Sequence, residues 1–455
     1  MANSIITFQD FEKGSVQTFV PDAIRKHKQS DMYQTAIKAD KYDHQRNITI
    51  NSYVQTIFEL TGAKLEDFTA SNNKIASNFF HRLNTQRTMY SLGNGISFAG
   101  GRDGIDETKE KLGDQFDDYM QDAAYYALIH GVSFVFWNLD RIHVFPLTEF
   151  IPIWDEDTGA LRAGIRFWQL DDQTPTVAVV YEEDGYTKLR QDAEKSDVFR
   201  IVEEKRAYKQ TISYVPADGE GVVVGEDNYG KLPIVPLWGS RLHQSTLIGM
   251  QASIDSYDLI RSGFANDLTD VSQIYWIVEN AGGMDDNDLA RFRDRLKVTH
   301  IANVDTDDGG SVKPYAQEIP HEARDRYLSM IRAGIYEDFG GLDVHTIAAG
   351  ATNDHIDAAY QPMDEEAKDF ERQLSQCIVQ ILALAGIDDS PVFQRLRISN
   401  QKEQAEIVML ESEWLDRETI LNKLPNISPD EIKDILQRQD ADDLKRFNAA
   451  LGGEE

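Results

Sequence analysis

The spacing of apolar residues changes period twice along this chain. From about residue 46 to 130 it is helical. TIFELTGAKLEDFTASNNKIASNFFHRLNTQRTMYSLGNG ends on a Gly-Asn-Gly stop, and DETKEKLGDQFDDYMQDAAYYALIHG closes at Gly131. The period then drops to two. VSFVFWNLDRIHVFPLTEFIPIWDEDTGALRAGIRFWQL, TVAVVYEEDGYTKLRQ and VFRIVEEKRAYKQTISYV are short β-branched and aromatic runs between turn signals, with a hairpin expected at Asp157-Thr158-Gly159. They predict a mostly antiparallel sheet to about residue 225, and hence an α+β domain over 1–244. Residues 1–45, polar and of weak periodicity, read as a peripheral arm or peripheral helices.

GKLPIVPLWGS, punctuated by prolines, marks the exit from that domain, and helical spacing returns over 245–273 with Ser245 as N-cap. Leu247, Ile248, Met250, Ile254, Tyr257, Leu259 and Ile260 cover more than one face, as in a helix packed on several neighbours. Residues 274–320 read as a small inserted αβ unit: a strand at IYWIVEN, a helix at MDDNDLARFRDRLK and a hairpin around Asp307-Asp308-Gly309-Gly310. A helix follows over 321–343. Another covers 362–387, with Pro362 in its first turn and Phe370, Leu374, Cys377, Ile378, Ile381 and Leu382 on one face. A late strand and connection (388–409) and a helical end (410–455) complete the chain, the latter including a capping box at Ser428 and Glu431. Between the helices, residues 344–361 are small or short and polar, with no Lys or Arg. Two helices joined through the insert predict a stalk with a knob at its far end.

A length of 455 residues suggests two to four compact regions. Hydrophobic residues at 41% and aromatics at 10% supply cores and exclude global disorder. A formal net charge of −31 excludes a sequence-reading nucleic-acid binder, whose affinity needs Lys and Arg against phosphates, but not a protein that nucleic acid passes without sticking. The one cysteine, Cys377, rules out an internal disulfide and a cysteine-based zinc site. The N-terminus lacks a signal-peptide pattern, and the apolar run IVQILALAGI is too short to span a bilayer, so a soluble, intracellular chain is expected. Asp305-Thr306-Asp307 begins like a calcium loop. Gly309 and Ala316 occupy later ligand positions, so a hairpin turn is the expectation there. His355, between Asp354 and Asp357, has no partner at metal-ligand spacing, and a polar loop is expected. Phosphate-loop, nucleophile-elbow and HExxH patterns are missing, so no enzyme, cofactor or metal is predicted. Trp137, Trp154 and Trp168 lie on strand-like runs and read as core.

Several stretches resemble the portal proteins of long-tailed bacteriophages with non-contractile tails. NTQRTMYSLGNGISF, HGVSFVFWNLDRIHVFPLTEFIPIWDEDTGALRAGIRFW and GKLPIVPLWGSRLHQSTLIGMQASIDSYDLIRSGFANDLTDVSQIYWIV are similar to that family's wing strands and its passage into the stem. RLRISNQKEQAEIVMLES and LDRETILNKLPNISPDEIKDILQR are similar to its last wing strand and crown. The resemblance spans most of 75–440 and leaves 1–45 uncovered. It implies a ring, commonly of twelve subunits, at one capsid vertex of the virion, assembled in the host cytoplasm. Double-stranded DNA would pass through its channel during packaging and ejection. The partners implied are the terminase large subunit, head-completion or adaptor proteins, and the major capsid and scaffolding proteins, with no membrane.

Mapped onto this sequence, the resemblance makes 1–244 the wing and 245–273 and 321–343 the stem. Residues 274–320 become the clip, with Tyr275, Trp276, Ile277, Val304 and Val312 at its partner interface. Residues 344–361 become a tunnel loop in which His345, Thr346, Asn353, Asp354, His355 and Asp357 face DNA. Small residues allow close approach, and the lack of Lys and Arg avoids a ring of phosphate contacts. A head–tail adaptor or scaffold protein is the rival structural reading, and a packaging-motor enzyme the rival catalytic one. The mass of the native assembly together with an ATPase assay separates the three.

Overall fold

Five of the period-two runs pair antiparallel in the order Phe199–Arg206, Gly185–Gln191, Val177–Glu182, Leu161–Trp168, Phe150–Trp154. The turn at 155–159 closes the last pair: the Asp155 carboxylate accepts from the N–H groups of Asp157 at 3.0 Å and Thr158 at 2.8 Å. Alternation along these strands buries Ile151, Ile153, Ala163, Ile165, Ala178, Val180 and Leu189 in one cluster. The computed structural model describes residues 5–58, 64–66, 71–100, 107–171, 173–192, 198–214, 221–271, 275–279, 311–315, 321–344 and 352–397, with short pieces between 408 and 438.

The chain clusters into two compact units. One comprises 1–39, 82–248 and 336–455; the other comprises 40–81 and 249–335. The wing span 1–244 is therefore interrupted, with 40–81 belonging to the second unit.

In the first unit the N-terminal residues are helices, the second of the two forms expected, and they are not peripheral to the core. Helix Val16–Gln29 covers the five-stranded sheet, and its Val20 and Ala23 join the sheet's core, with Val16, Phe19 and Ile24 packed against it. This apolar stripe at helical spacing is interrupted by Gln17, Thr18 and Asp22 and followed by Arg25, Lys26 and Lys28, which is why the segment reads as polar. His27, on the same helix, is buried with Nε2 2.9 Å from Leu147 O, and burial pushes its pKa down to about 4.

A second sheet orders Ile234–Trp238, Val132–Asn138 and Arg141–Pro146. Helix Phe116–His130 packs against it and ends at Gly131, whose φ of +93° favours glycine and where a Cβ would meet Gln244 C at 2.8 Å. The 33-residue helix Asn353–Ala385 supplies Phe370, Leu374, Cys377, Ile378, Ile381 and Leu382 to the same core, the face read from the sequence. Burial pushes the Cys377 thiol well up, so it stays protonated. Trp137 is buried in this core, and Trp154 and Trp168 pack on a neighbouring cluster.

This helix corrects one boundary. It starts after Thr352, not at Pro362, which lies within it. A proline inside a helix costs about 3 kcal/mol, because it offers no N–H to the carbonyl four residues back and its ring crowds that carbonyl. The late strand is Pro391–Phe393, paired with Ile96–Phe98.

The second unit also departs from the sequence reading. Where described, residues 56–78 are not helical: Thr56–Phe58 pairs with Lys64–Glu66, and helix resumes only at Phe79. Residues 71–78 form a strap along helix Leu247–Val271. The N–H groups of Asn73, Ile75 and Ser77 donate to Asn266 Oδ1 at 2.6 Å, Ser262 Oγ at 3.0 Å and Asp258 Oδ1 at 2.9 Å. Alternate residues of an extended chain repeat about every 6.6 Å. Every fourth residue of a helix repeats at about 6 Å, so the two tracks stay in register. Helix His321–Phe339 and the antiparallel pair Tyr275–Glu279 with Ser311–Tyr315 complete what is described of the insert and its flanks. The Asp307–Gly310 turn, the 284–297 helix and the Asp305–Ala316 calcium comparison fall largely outside the described residues, as does most of 410–455, where the helix Arg417–Lys423 is described.

Asp258 is buried and also accepts from Asn47 Nδ2 at 2.5 Å. Burial dominates and raises its pKa above the ordinary 3.8, against the lowering effect of the Asn47 and Ser77 hydrogen bonds. With the folded value raised, the folded state holds the proton longer than the unfolded state. Asp258 therefore contributes stability at low pH that is lost as pH rises from about 3.8 through the folded value. In the Asp258→Asn variant this loss is removed. Thermal unfolding between pH 4 and 7 should show the variant gaining on wild type as pH rises; a difference independent of pH would refute the assignment.

Candidate functional site

The described residues that flank 345–351 form one framework, built by residues 83–90 of helix Phe79–Leu92, the start of helix Asn353–Ala385 and the segment 394–397.

On the incoming side, helix His321–Phe339 ends at Gly340, with φ +66°. Gly341 N donates to Tyr336 O at 2.8 Å, and Gly340 N to Glu337 O at 3.0 Å, so the turn satisfies carbonyls a helix end leaves open. Gln86 holds Leu342 by both of its backbone polar groups: Nε2 donates to Leu342 O and Oε1 accepts from Leu342 N, each at 3.0 Å. Buried Arg87 donates to Phe339 O, pairs with Glu366 at 3.4 Å and lies over the Phe339 ring at 4.1 Å. Burial pulls its pKa below the usual range, and the Glu366 and Asp369 carboxylates oppose that.

On the outgoing side, Thr352 is the N-cap residue, and its Oγ1 lies 2.7 Å from His355 Nδ1. Ile356, Tyr360, Met363 and Ala367 recur at helical spacing and close a buried cluster with Tyr90 and Leu342, so one small core ties both flanks together. The Tyr90 and Tyr360 rings stack at 5.6 Å.

Above that core lies an ionic network. Arg395 grips Glu371 with two parallel bonds, Nε at 2.9 Å and Nη2 at 2.8 Å, and reaches Asp364 with Nη1 at 2.6 Å. Arg397 donates to Asp357 at 2.9 Å, to Tyr90 Oη at 2.9 Å and to Asp364. Tyr90 in turn donates to Asp364 at 2.6 Å. Burial, then the Asp364 carboxylate, pushes the Tyr90 hydroxyl up to about 12. Burial alone would raise Asp364, but donors from Tyr90, Arg397 and Arg395 outweigh it and hold the carboxyl below its ordinary value. The network places no nucleophile beside a free base. It anchors a connection, and Arg87, Arg395 and Arg397 are all engaged with protein acceptors.

Of the residues expected to face DNA, Asn353, Asp354, His355 and Asp357 lie in the first turns of a helix and not in a loop. Asp357 accepts from Arg397, and His355 lies in hydrogen-bond contact with Thr352. His345 and Thr346 lie outside the described residues. Tyr275, Trp276 and Ile277 sit on one strand of the insert and Val312 on its partner, opposite Val278; Val304 lies outside the described residues. Sequence reasoning missed Gln86, Arg87, Tyr90, Asp364, Arg395 and Arg397. The available signal was the alternation of Arg395 and Arg397 in a strand-like run with an acidic helix start elsewhere, a pattern common on any surface. Among the described residues no three His, Cys, Asp or Glu side chains converge as a metal site, and no helix is long and apolar enough to cross a membrane.

Comparison with known proteins matches residues 24–445 to the family described as phage portal protein, SPP1 Gp6-like. The chain is 26% identical over 368 residues to the portal protein of Clostridium phage phiCD119, covering 74% of this chain and 78% of that protein. It is 23% identical over 342 residues to the portal protein of Bacillus phage SPP1, covering 70% of this chain and 63% of that protein.

Proposed function

Because this chain belongs to the SPP1 Gp6-like family of phage portal proteins, structural head-to-tail connectors of the virion, we propose that it forms a ring, of twelve copies, at one capsid vertex. Double-stranded DNA passes through the ring in packaging and ejection. Helices Leu247–Val271 and His321–Phe339 form its stem, and 274–320 form a clip that docks the terminase large subunit and later the head-completion or adaptor protein. The outer body meets the major capsid and scaffolding proteins. The small-residue connection after Phe339 faces the DNA path.

The observation that carries this reading is the uncovered stretch 321–334 of helix His321–Phe339, which buries Ile335, Tyr336 and Phe339 only at its end. None of residues 321–334 is buried, and Tyr327 and Met330, one turn apart, are exposed. A helical stretch of that length with no buried residue is marginal in water, and neighbouring copies in a ring would cover it. The acidic charge and the engaged arginines beside the connection support smooth passage of a polyanion.

Native mass measurement and negative-stain images viewed down the particle axis test the ring. A closed ring with a hole wide enough for duplex DNA is expected. A monodisperse monomer at micromolar concentration across salt conditions would overturn the reading.

A further inference from the structure

We propose that residues 353–361 are a conditional first segment of helix Asn353–Ala385, latched by Arg397, so that the connection between the two long helices has two lengths. The inference goes beyond the portal reading and does not depend on it.

The sequence carries two helix starts. One is Thr352 with Asp354 in the first turn. The other is Pro362 followed by Asp364, Glu365 and Glu366, a proline where the missing N–H is harmless and acids where the helix dipole favours them. The structure uses the first and runs helix through the second. Pro362 offers no N–H to Ala358 O, so the ladder is broken between the two segments.

Arg397 straddles that break. It binds Asp357 on the N-terminal side of Pro362 and Asp364 on the C-terminal side, while its Nε donates to Tyr90. Its guanidinium also lies 5.5 Å from the Tyr360 ring centre. The side chain thus supplies across the proline the coupling that the backbone cannot. Beyond this, the segment buries just Ile356 and Tyr360 among its described side chains. Asp357 is 64% exposed whereas Asp364 is 18% exposed, so the outer half of the latch opens to solvent while the inner half stays fixed. Latched, the helix begins after Thr352. Released, it begins at Pro362, and the nine residues 353–361, freed from it, can extend over up to roughly 30 Å.

Hydrogen exchange of the full-length protein, read by mass spectrometry, tests this. Arg397→Gln should raise exchange of the 356–361 amides at least about tenfold while 366–385 stay unchanged. Adding Pro362→Ala, which supplies the missing donor, should restore protection. Asp357→Asn, at an exposed position, should give a smaller rise in the same amides and keeps the test readable if Arg397→Gln does not fold. The proposal is overturned if 356–361 stay as protected as in wild type in the folded variants, if exchange rises evenly over 353–385, or if Pro362→Ala brings no recovery.

Discussion

Packaging of DNA should slow or stall at low salt, and partly recover as salt rises, when Thr346, Asn353 and Ala358 are all replaced by Lys. The stretch containing them has no Lys or Arg between 344 and 361, and Ala358 is exposed on the helix that begins within it at Asn353. Three positive charges per subunit, repeated around a ring, would turn a surface that repels phosphate into one that holds it. Each phosphate contact steepens the salt dependence of DNA binding by about 0.9 in log–log slope, so even a few contacts make the effect large and distinctly ionic. Ring assembly should survive, because Ala358 is exposed and the residues of the Tyr90–Leu342 core are left unchanged. The measurement is the packaging rate against salt, with ring integrity checked by mass. Wild-type rates at every salt concentration would show that this connection does not line the DNA path.

The largest effect on stability is expected at Phe370. Its side chain is 1% exposed, in the core shared by helices Phe116–His130 and Asn353–Ala385 and the three-stranded sheet. Phe370→Ala removes a ring and leaves a cavity that close-packed neighbours fill only in part, a loss of about 3–5 kcal/mol. Phe370→Leu, which keeps most of the volume, should lose under about 1.5 kcal/mol. Urea unfolding followed by a signal from the first unit separates the two variants. The result bears on the site as well, because this core fixes the helix on which Asp357, Asp364 and Glu366 are displayed. A Phe370→Ala loss below about 1 kcal/mol would mean that the helix is anchored elsewhere, and the Arg87 and Arg395 contacts would have to carry it.

Much of the fold was legible because burial of one face imposes a period on the chain. The period of two between Val132 and Gln191 follows from strands whose alternate residues enter one core, or two different cores as in Val132–Asn138 and Val177–Glu182, and the turn at 155–159 follows from an Asp side chain that caps its own backbone. The stripe from Phe370 to Leu382 was read correctly for the same reason. Gly131 ends a helix at the position its lack of a Cβ indicates. Reading failed where polar atoms do the packing. Asp258, Ser262 and Asn266 look like the solvent face of a helix, and their partners at 73, 75 and 77 lie some 180 to 190 residues away in the chain. No local pattern marks a carboxylate or hydroxyl as a receptor for another segment's backbone.

The start of the long helix shows where the division falls. Locally, Pro362 with acids behind it is a sufficient helix start, and residues 353–361 offer few strong reasons to be helical. That local preference is what the sequence by itself determined, together with the apolar face further along. The choice of Thr352 as the start was decided by Tyr90, Leu342 and Arg397, which come from before and after the helix and meet it only in the folded chain. A proline's cost is local and readable from one residue. The contacts that offset it are a sum over distant residues, and that sum exists only once the tertiary structure has brought them together.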